Sequence, residues 1–305
     1  MNLSPIVLFT YNRPVHTQKT IEALKQNELS SKTDLIIYSD ASKTPEDVNA
    51  VDKVRTYVDT ITGFKSVKVF KRDKNRGLAL SIIDGVTQTI QEYGAVIVLE
   101  DDIITSPYFL NYMNGALNYF KGEKKVWHIS GWNCPFDHKG LGDVFFLRLM
   151  NCWGWGTWRD RWNYYEKNPK KLIREFDKKT IYDFDLSNSG QFWSQVIANN
   201  KGKIDTWAIF WYATIFRHKG LCLNPAISYA KNIGHDGSGV HCRENRNYLD
   251  NTLLNEKSTP QFNIPLQESE IAIERVIRFY RNQKRSLFDK ITSKLYRYCK
   301  FFLKF

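Results

Sequence analysis

The sequence predicts an α/β fold, a mostly parallel central sheet flanked by helices. Three observations carry this expectation. Continuous apolar runs at Pro5–Thr10 (PIVLFT), Asp34–Ser39 (DLIIYS) and Ala95–Leu99 (AVIVL) alternate with segments of helical periodicity. Strands that are apolar on every residue must be covered on both faces, and the intervening helices supply the cover. With 305 residues, 42% of them hydrophobic, the chain can also bury a sizeable core.

The elements follow in order. Tyr11-Asn12-Arg13-Pro14 reads as a turn that opens a helix whose apolar side includes Ile21 and Leu24. Val67–Phe70 reads as a third strand, Ala79–Tyr93 as a helix, and AVIVL as the fourth strand. After Pro107 come a helix over Tyr108–Phe120, a strand over Val126–Ser130 and a tryptophan-dense stretch from Trp127 to Trp162. Beyond a Lys-rich connector, helices are expected near Gly190–Asn199 and over Thr206–Lys219, and Ile233–Cys242 (IGHDGSGVHC) reads as a glycine-rich loop. Parallel sheets bind ligands at their carboxyl edges, so the chemistry is expected just after Thr10, Ser39 and Leu99.

Charge sharpens the expectation. Lys+Arg 44 against Asp+Glu 32 gives +12, but residues 271–305 hold ten basic residues against Glu274 and Asp289. The excess therefore belongs mostly to a tail, which argues against nucleic acid as a partner for the body. In that tail Leu287, Ile291, Leu295, Tyr298, Phe302 and Phe305 recur at spacings of three and four, flanked by lysine and arginine. Such a helix suits an anionic membrane surface, or alternatively packs on protein. Five cysteines without any C-x-x-C fit a reducing compartment. No signal-type N-terminus or membrane-span-length apolar run is present, so the expected location is cytoplasmic, peripheral on the inner face of the cell membrane.

Glu100-Asp101-Asp102 directly follows AVIVL. Three adjacent carboxylates repel one another, and burial raises the cost, so a cation is expected beside them. Mn²⁺ or Mg²⁺ would meet that need through one or two carboxylates plus substrate phosphates. A solvated acidic turn or a helix N-terminus would account for the same residues.

The blocks VLEDDIITSPYFLNYM and VWHISGWN, a Gly-Trp pair and a late C-x-x-P-x-I-S resemble GT-A glycosyltransferases of the N-acetylglucosaminyltransferase I type. PIVLFTYNRP and NRGLALSIIDGV also resemble bacterial inverting family 2 sugar transferases, so the likeness spans about residues 4–245. It implies a GT-A domain over 1–270, with a nucleotide-binding half (1–105) and an acceptor half (106–270), followed by the basic tail 271–305. It further implies transfer from a nucleotide-sugar donor, expected to be a UDP-sugar, to a hydroxyl of a glycan or lipid-linked acceptor in bacterial surface polysaccharide synthesis. In that resemblance Asp102 is the direct metal ligand, and Glu100 and Asp101 support the metal shell and the sugar or ribose hydroxyls.

Thr10, Asn12 and Arg13 leave the first strand, and Asp40 the second, where such a fold holds base and ribose; ordinary turn chemistry explains the same residues. Arg76, in a cationic loop before a helix, suits a diphosphate. Asp205, in IDTWAIFWYATIF, stands where related transferases carry their proposed base, although animal enzymes have two adjacent acids there and this chain has Asp205-Thr206-Trp207. An N-cap role is the plainer alternative. From NCWGWGTW, Trp153 and Trp155 are expected as sugar contacts, and His241 as a further metal or phosphate contact. A sugar nucleotidyltransferase shares the sheet, but it should open with a glycine-rich loop, and TYNRP has none. A non-catalytic nucleotide- or nucleic-acid-binding protein should interleave basic and aromatic residues on a sheet face, which this sequence does not show.

Overall fold

A computed structural model describes residues 3–236 and 253–282. Its chain order begins β1 (Ile6–Thr10), α1 (Pro14–Lys25), β2 (Asp34–Ser39), α2 (Val48–Val58), β3 (Ser66–Lys71), α3 (Gly77–Tyr93), β4 (Ala95–Glu100), β5 (Ile103–Thr105) and α4 (Phe109–Tyr119). It continues with β6 (Val126–Ser130), β7 (Val144–Leu147), β8 (Trp155–Trp158), α5 (Arg159–Trp162), α6 (Pro169–Glu175), α7 (Lys178–Phe184), α8 (Trp193–Asn200), α9 (Ala208–Arg217), β9 (Leu221–Pro225) and β10 (Ala230–Asn232).

Eight strands form one sheet in the order β3-β2-β1-β4-β8-β6-β9-β7. β1 lies between β2 and β4, parallel to both, with Thr10 opposite Ser39 and Phe9 opposite Glu100. The ends of three strands therefore emerge along one edge. The sheet is mixed rather than uniformly parallel, because β8 enters antiparallel between β4 and β6, and β7 runs antiparallel at the far edge. Gly156 makes that insertion possible: a Cβ there would come within 2.9 Å of the Val96 carbonyl and 3.1 Å of Met113.

Both faces of the sheet are covered. Val7, Phe9, Val98 and Trp155 pack on one side with Ile82, Val86 and Ile90 of α3, while Leu8, Leu99 and Ile129 pack on the other with α1 and α4. Burying each such side chain is worth about 1.5–3 kcal/mol. Gly85 lets α3 approach, since a Cβ there would meet the rings of Phe9 and Tyr38 inside 3.0 Å. α3 ends at Gly94, whose φ of +79° makes a left-handed cap before β4 begins.

The stretch after residue 253 runs along the β7 edge, where the Ser269 N–H donates to the Phe146 carbonyl at 2.9 Å and Arg148 forms an ion pair with Glu268. Residues 270–282 are helical, and Ala272 and Val276 are fully buried in the body's core. The first turns of this helix are thus built into the body. The stripe from Leu287 to Phe305 and the expected contact His241 lie outside the described residues. No helix among the described residues is long and apolar enough to cross a membrane.

Candidate functional site

The carboxyl edge of β1 and β4 gathers the charged residues. After Thr10 the chain turns through Tyr11-Asn12-Arg13, and Pro14 at the first helical position starts α1. The turn is anchored from outside by Asp47, which accepts from the Tyr11 hydroxyl and the Asn12 amide, each at 2.7 Å. So held, Arg13 reaches across to β4, where one guanidinium nitrogen is ion-paired with Asp101 and lies 3.0 Å from Asp102 Oδ2. Both carboxylates are 4% exposed, so the acidic cluster is no solvated turn. Burial works against the Arg13 charge, but the two carboxylates more than offset it and raise its pKa. For Glu100, burial and then the charges of Asp102 and Asp101 push the pKa up. Burial also raises Asp101, with Arg13 opposing.

Arg13 supplies part of the cation that the triplet requires. One guanidinium against three acids still leaves the edge short of positive charge, and Asp102 Oδ1 is buried with no hydrogen-bond partner among the described residues. Among the described residues no group of three or more His, Cys, Asp or Glu side chains could cage a metal. The donor set therefore fits a hard divalent ion held by Asp102 and completed by substrate phosphates, rather than one enclosed by protein alone.

A second layer closes on this pair. β10 pairs antiparallel with β5, Asn232 opposite Ile103, and the Ile233 N–H donates to the Asp102 carbonyl at 2.9 Å. That pairing seats Gly234 against Asp102 and Arg13 where no side chain fits. His235 follows, its ring 5.4 Å from that of Trp153 in an edge contact, and Trp153 in turn meets Trp132 at 4.4 Å. Asp236 faces His16 of α1 at 3.2 Å.

Several expected site residues make contacts that serve the fold. The Asp40 carboxylate accepts from the backbone N–H groups of Ala41, Arg76 and Gly77 at 2.9–3.1 Å, so it fastens α3 to β2. The Arg76 side chain is turned to Asp84 at 2.5 Å, and its backbone, not its guanidinium, belongs to that junction. Trp155 is 1% exposed and stacked on Trp207 and His128. Asn12 is tied to Asp47. Asp205 is exposed on the loop before α9 and ion-paired with Lys167; it does not cap the helix, whose N-cap is Trp207. Thr10 keeps a buried hydroxyl without a partner among the described residues, as does Ser39 beside it in register. Sequence reasoning passed over Trp132, and it gave Gly234 and His235 only as part of a late loop, residues 234–241, that could close over the donor. Their signals were present in GHDG and SGWN, but only the β5–β10 pairing brings them to the triplet.

Residues 6–122, which take in β1 through α4, match the family model described as Glycosyl transferase family 2. No curated protein matches the chain. Among solved structures it is similar to S. aureus TarS, at 15% identity and a TM-score of 0.31 over 42% of this chain, and it spans 21% of the length of that structure. It is also similar to the mannosyltransferase PcManGT from Pyrobaculum calidifontis in complex with GDP-Man and Mn²⁺, at 10% identity and a TM-score of 0.41, covering 72% of this chain and 70% of that one. An active-site mutant of LgtC matches at 9% identity and a TM-score of 0.35, over 69% and 70% of the two chains. Over residues 6–122 the chain is thus similar to family 2 glycosyl transferases, and the matched stretch holds β1, β2 and β4 with the acids at the β4 edge.

Proposed function

We propose that this protein is a metal-assisted, inverting glycosyltransferase that moves a sugar from a UDP-sugar to a hydroxyl of a glycan or lipid-linked acceptor, in bacterial surface polysaccharide synthesis. The observation that carries the reading is the buried Asp101–Asp102 pair at the end of β4, clasped by Arg13 from the end of β1. A nucleoside lies over the β1 and β2 ends, where the Thr10 and Ser39 hydroxyls lack partners. Asp102, with its free Oδ1, holds Mn²⁺ or Mg²⁺. When bound, that ion neutralises charge developing on the leaving diphosphate. Arg13 keeps Asp101 compensated and leaves Asp102 available, and Gly234 shields both from water.

Inversion requires a carboxylate that takes the proton of the attacking hydroxyl. Asp205 is the candidate from its place ahead of α9, and its ion pair with Lys167 must open for it to act. Asp236 competes, because it stands two residues after Gly234, which lies against Asp102. The tail after residue 283 carries the enzyme to the inner face of the membrane, beside a lipid-linked acceptor.

Screening UDP-, GDP- and dTDP-sugars for hydrolysis with and without Mn²⁺ tests the donor and the metal together. Release of UDP that depends on Mn²⁺ is expected; hydrolysis undiminished in excess EDTA would overturn the metal's part.

A further inference from the structure

Beyond the charged edge lies a cavity of about 290 Å³, walled by the loop before β8, the first turns of α8 and α9, and the helix of residues 270–282. Its chemistry is unlike that of the triplet. No charged side chain among the described residues lines it; the walls are the rings of Trp132, Trp153, Tyr212 and Tyr280, with the amides of Gln191 and Gln195 between them. Gln195 spends its N–H on the Gln191 carbonyl at 2.7 Å, which leaves its carbonyl oxygen and the Gln191 amide to meet a ligand. Trp132 is 6% exposed, and its indole N–H has no hydrogen-bond partner among the described residues. A buried donor without a partner is costly, and an acceptor on a ligand would relieve that cost.

The cavity wall is also linked to the acid pair by side-chain contacts. Trp153 forms its wall and touches His235, and Gly234 beside it lies on Asp102. A group bound against Trp132 and Trp153 is therefore two side chains from the proposed metal ligand. The loop carrying Trp153 is held in place from below: the neutral His128 ring donates from Nε2 to the Asn151 carbonyl at 3.0 Å and accepts from Trp211 at Nδ1 at 3.1 Å.

We propose that this cavity binds an uncharged sugar residue of the acceptor, a deepening that rests on the transferase reading. A phosphate, a uronic acid or a sialic acid would have to shed its hydration with no cation to replace it. A neutral pyranose presents C–H faces to the tryptophan rings and hydroxyls to the glutamine amides and the indole N–H. The volume stands at the low end of small-molecule pockets, about 300–1,000 Å³. It admits one sugar residue rather than an extended chain.

The test is tryptophan fluorescence and saturation-transfer NMR on the full chain, with methyl glycosides of glucose, galactose and N-acetylglucosamine set against glucuronic acid and an octyl glycoside series. Binding of at least one neutral glycoside, at least tenfold tighter than the acidic sugar, is expected. Ala208→Trp, at the first turn of α9, should abolish it while UDP affinity and the melting temperature stay near wild type. Gln191→Leu, a milder and partly exposed change, should weaken it about fivefold or more. Equal binding of glucuronic acid, binding that follows alkyl length regardless of the sugar, or sugar binding untouched in both variants would each overturn the proposal. If UDP-sugars fail to bind while neutral glycosides do, the transferase reading falls and the sugar site stands.

Discussion

Gly234 lies against the Asp102 carboxylate so closely that a Cβ would fall well inside the 3.0 Å that real Cβ atoms respect, with Arg13 as its next neighbour. The relationship is specific to glycine, because both neighbours are themselves fixed: Asp102 by the Ile233 N–H and Arg13 by its two carboxylates. Gly234→Ala should therefore displace the acid pair without unfolding the protein. Titration of UDP with Mn²⁺ should show donor affinity reduced tenfold or more, with a melting temperature close to wild type. Unchanged affinity would mean that the loop does not bear on the donor.

Asp102→Asn keeps the shape and removes one charge from a cluster whose members repel each other. The fold should persist, because Arg13 still has Asp101. Calorimetry should show loss of Mn²⁺-dependent UDP binding together with transfer. Full activity in this variant would remove Asp102 as the metal ligand.

For the base, Asp205→Asn and Asp236→Asn should be compared under saturating donor. A general base acts in the transition state, so the responsible residue should lower kcat by roughly 10²–10⁴-fold with donor affinity nearly unchanged. Whichever variant loses less than about tenfold is excluded.

His128 has no exposure and a pKa pushed down to about 3 by burial, with its bond to the Asn151 carbonyl opposing. In the unfolded chain the same imidazole titrates near 6.5. Above about pH 6.5 it is neutral in both states and contributes no pH dependence. As pH falls below that, the unfolded state takes up the proton first, so stability is lost progressively from about pH 6.5 toward pH 3, by at most about 5 kcal/mol. Urea melts at pH 7 and pH 4.5 should show this slope, and His128→Gln, less stable at pH 7, should show a shallower one.

Deleting residues 286–305 should leave hydrolysis of soluble donor intact and weaken sedimentation with anionic vesicles at low salt, since each basic residue near such a surface contributes about 1 kcal/mol. An intact chain that ignores such vesicles would sink the membrane assignment.

The nucleotide half was legible because its signals are local. PIVLFT, DLIIYS and AVIVL became β1, β2 and β4 within a residue, as fully buried strands between helices must. The triplet's need for a cation was also readable, but Arg13's share in meeting it was not, since nothing in NRP says that its side chain crosses to the next strand. β7 to β10 are three to five residues long and set among glycines and tryptophans, too short for periodicity to register. Trp153 and Trp155 show the limit most clearly. Trp153 lies in the loop before β8 and Trp155 opens the strand; the backbone turn at Gly154, with φ of +70°, separates them, so one meets Trp132 and His235 and the other the core, and composition treats them alike.

β8 is hydrogen-bonded to β4 on one side and β6 on the other, and the loop bearing Trp153 is its direct lead-in. The wall that would hold one substrate is thus in fixed register with the strand that ends in the acids, one interstrand spacing of about 4.8 Å away. The gap between the two reactants is then a property of the scaffold, while the identity of the incoming one is written in loops that hang from it. Exchanging residues 131–153 among related chains should retarget such an enzyme without retuning its chemistry.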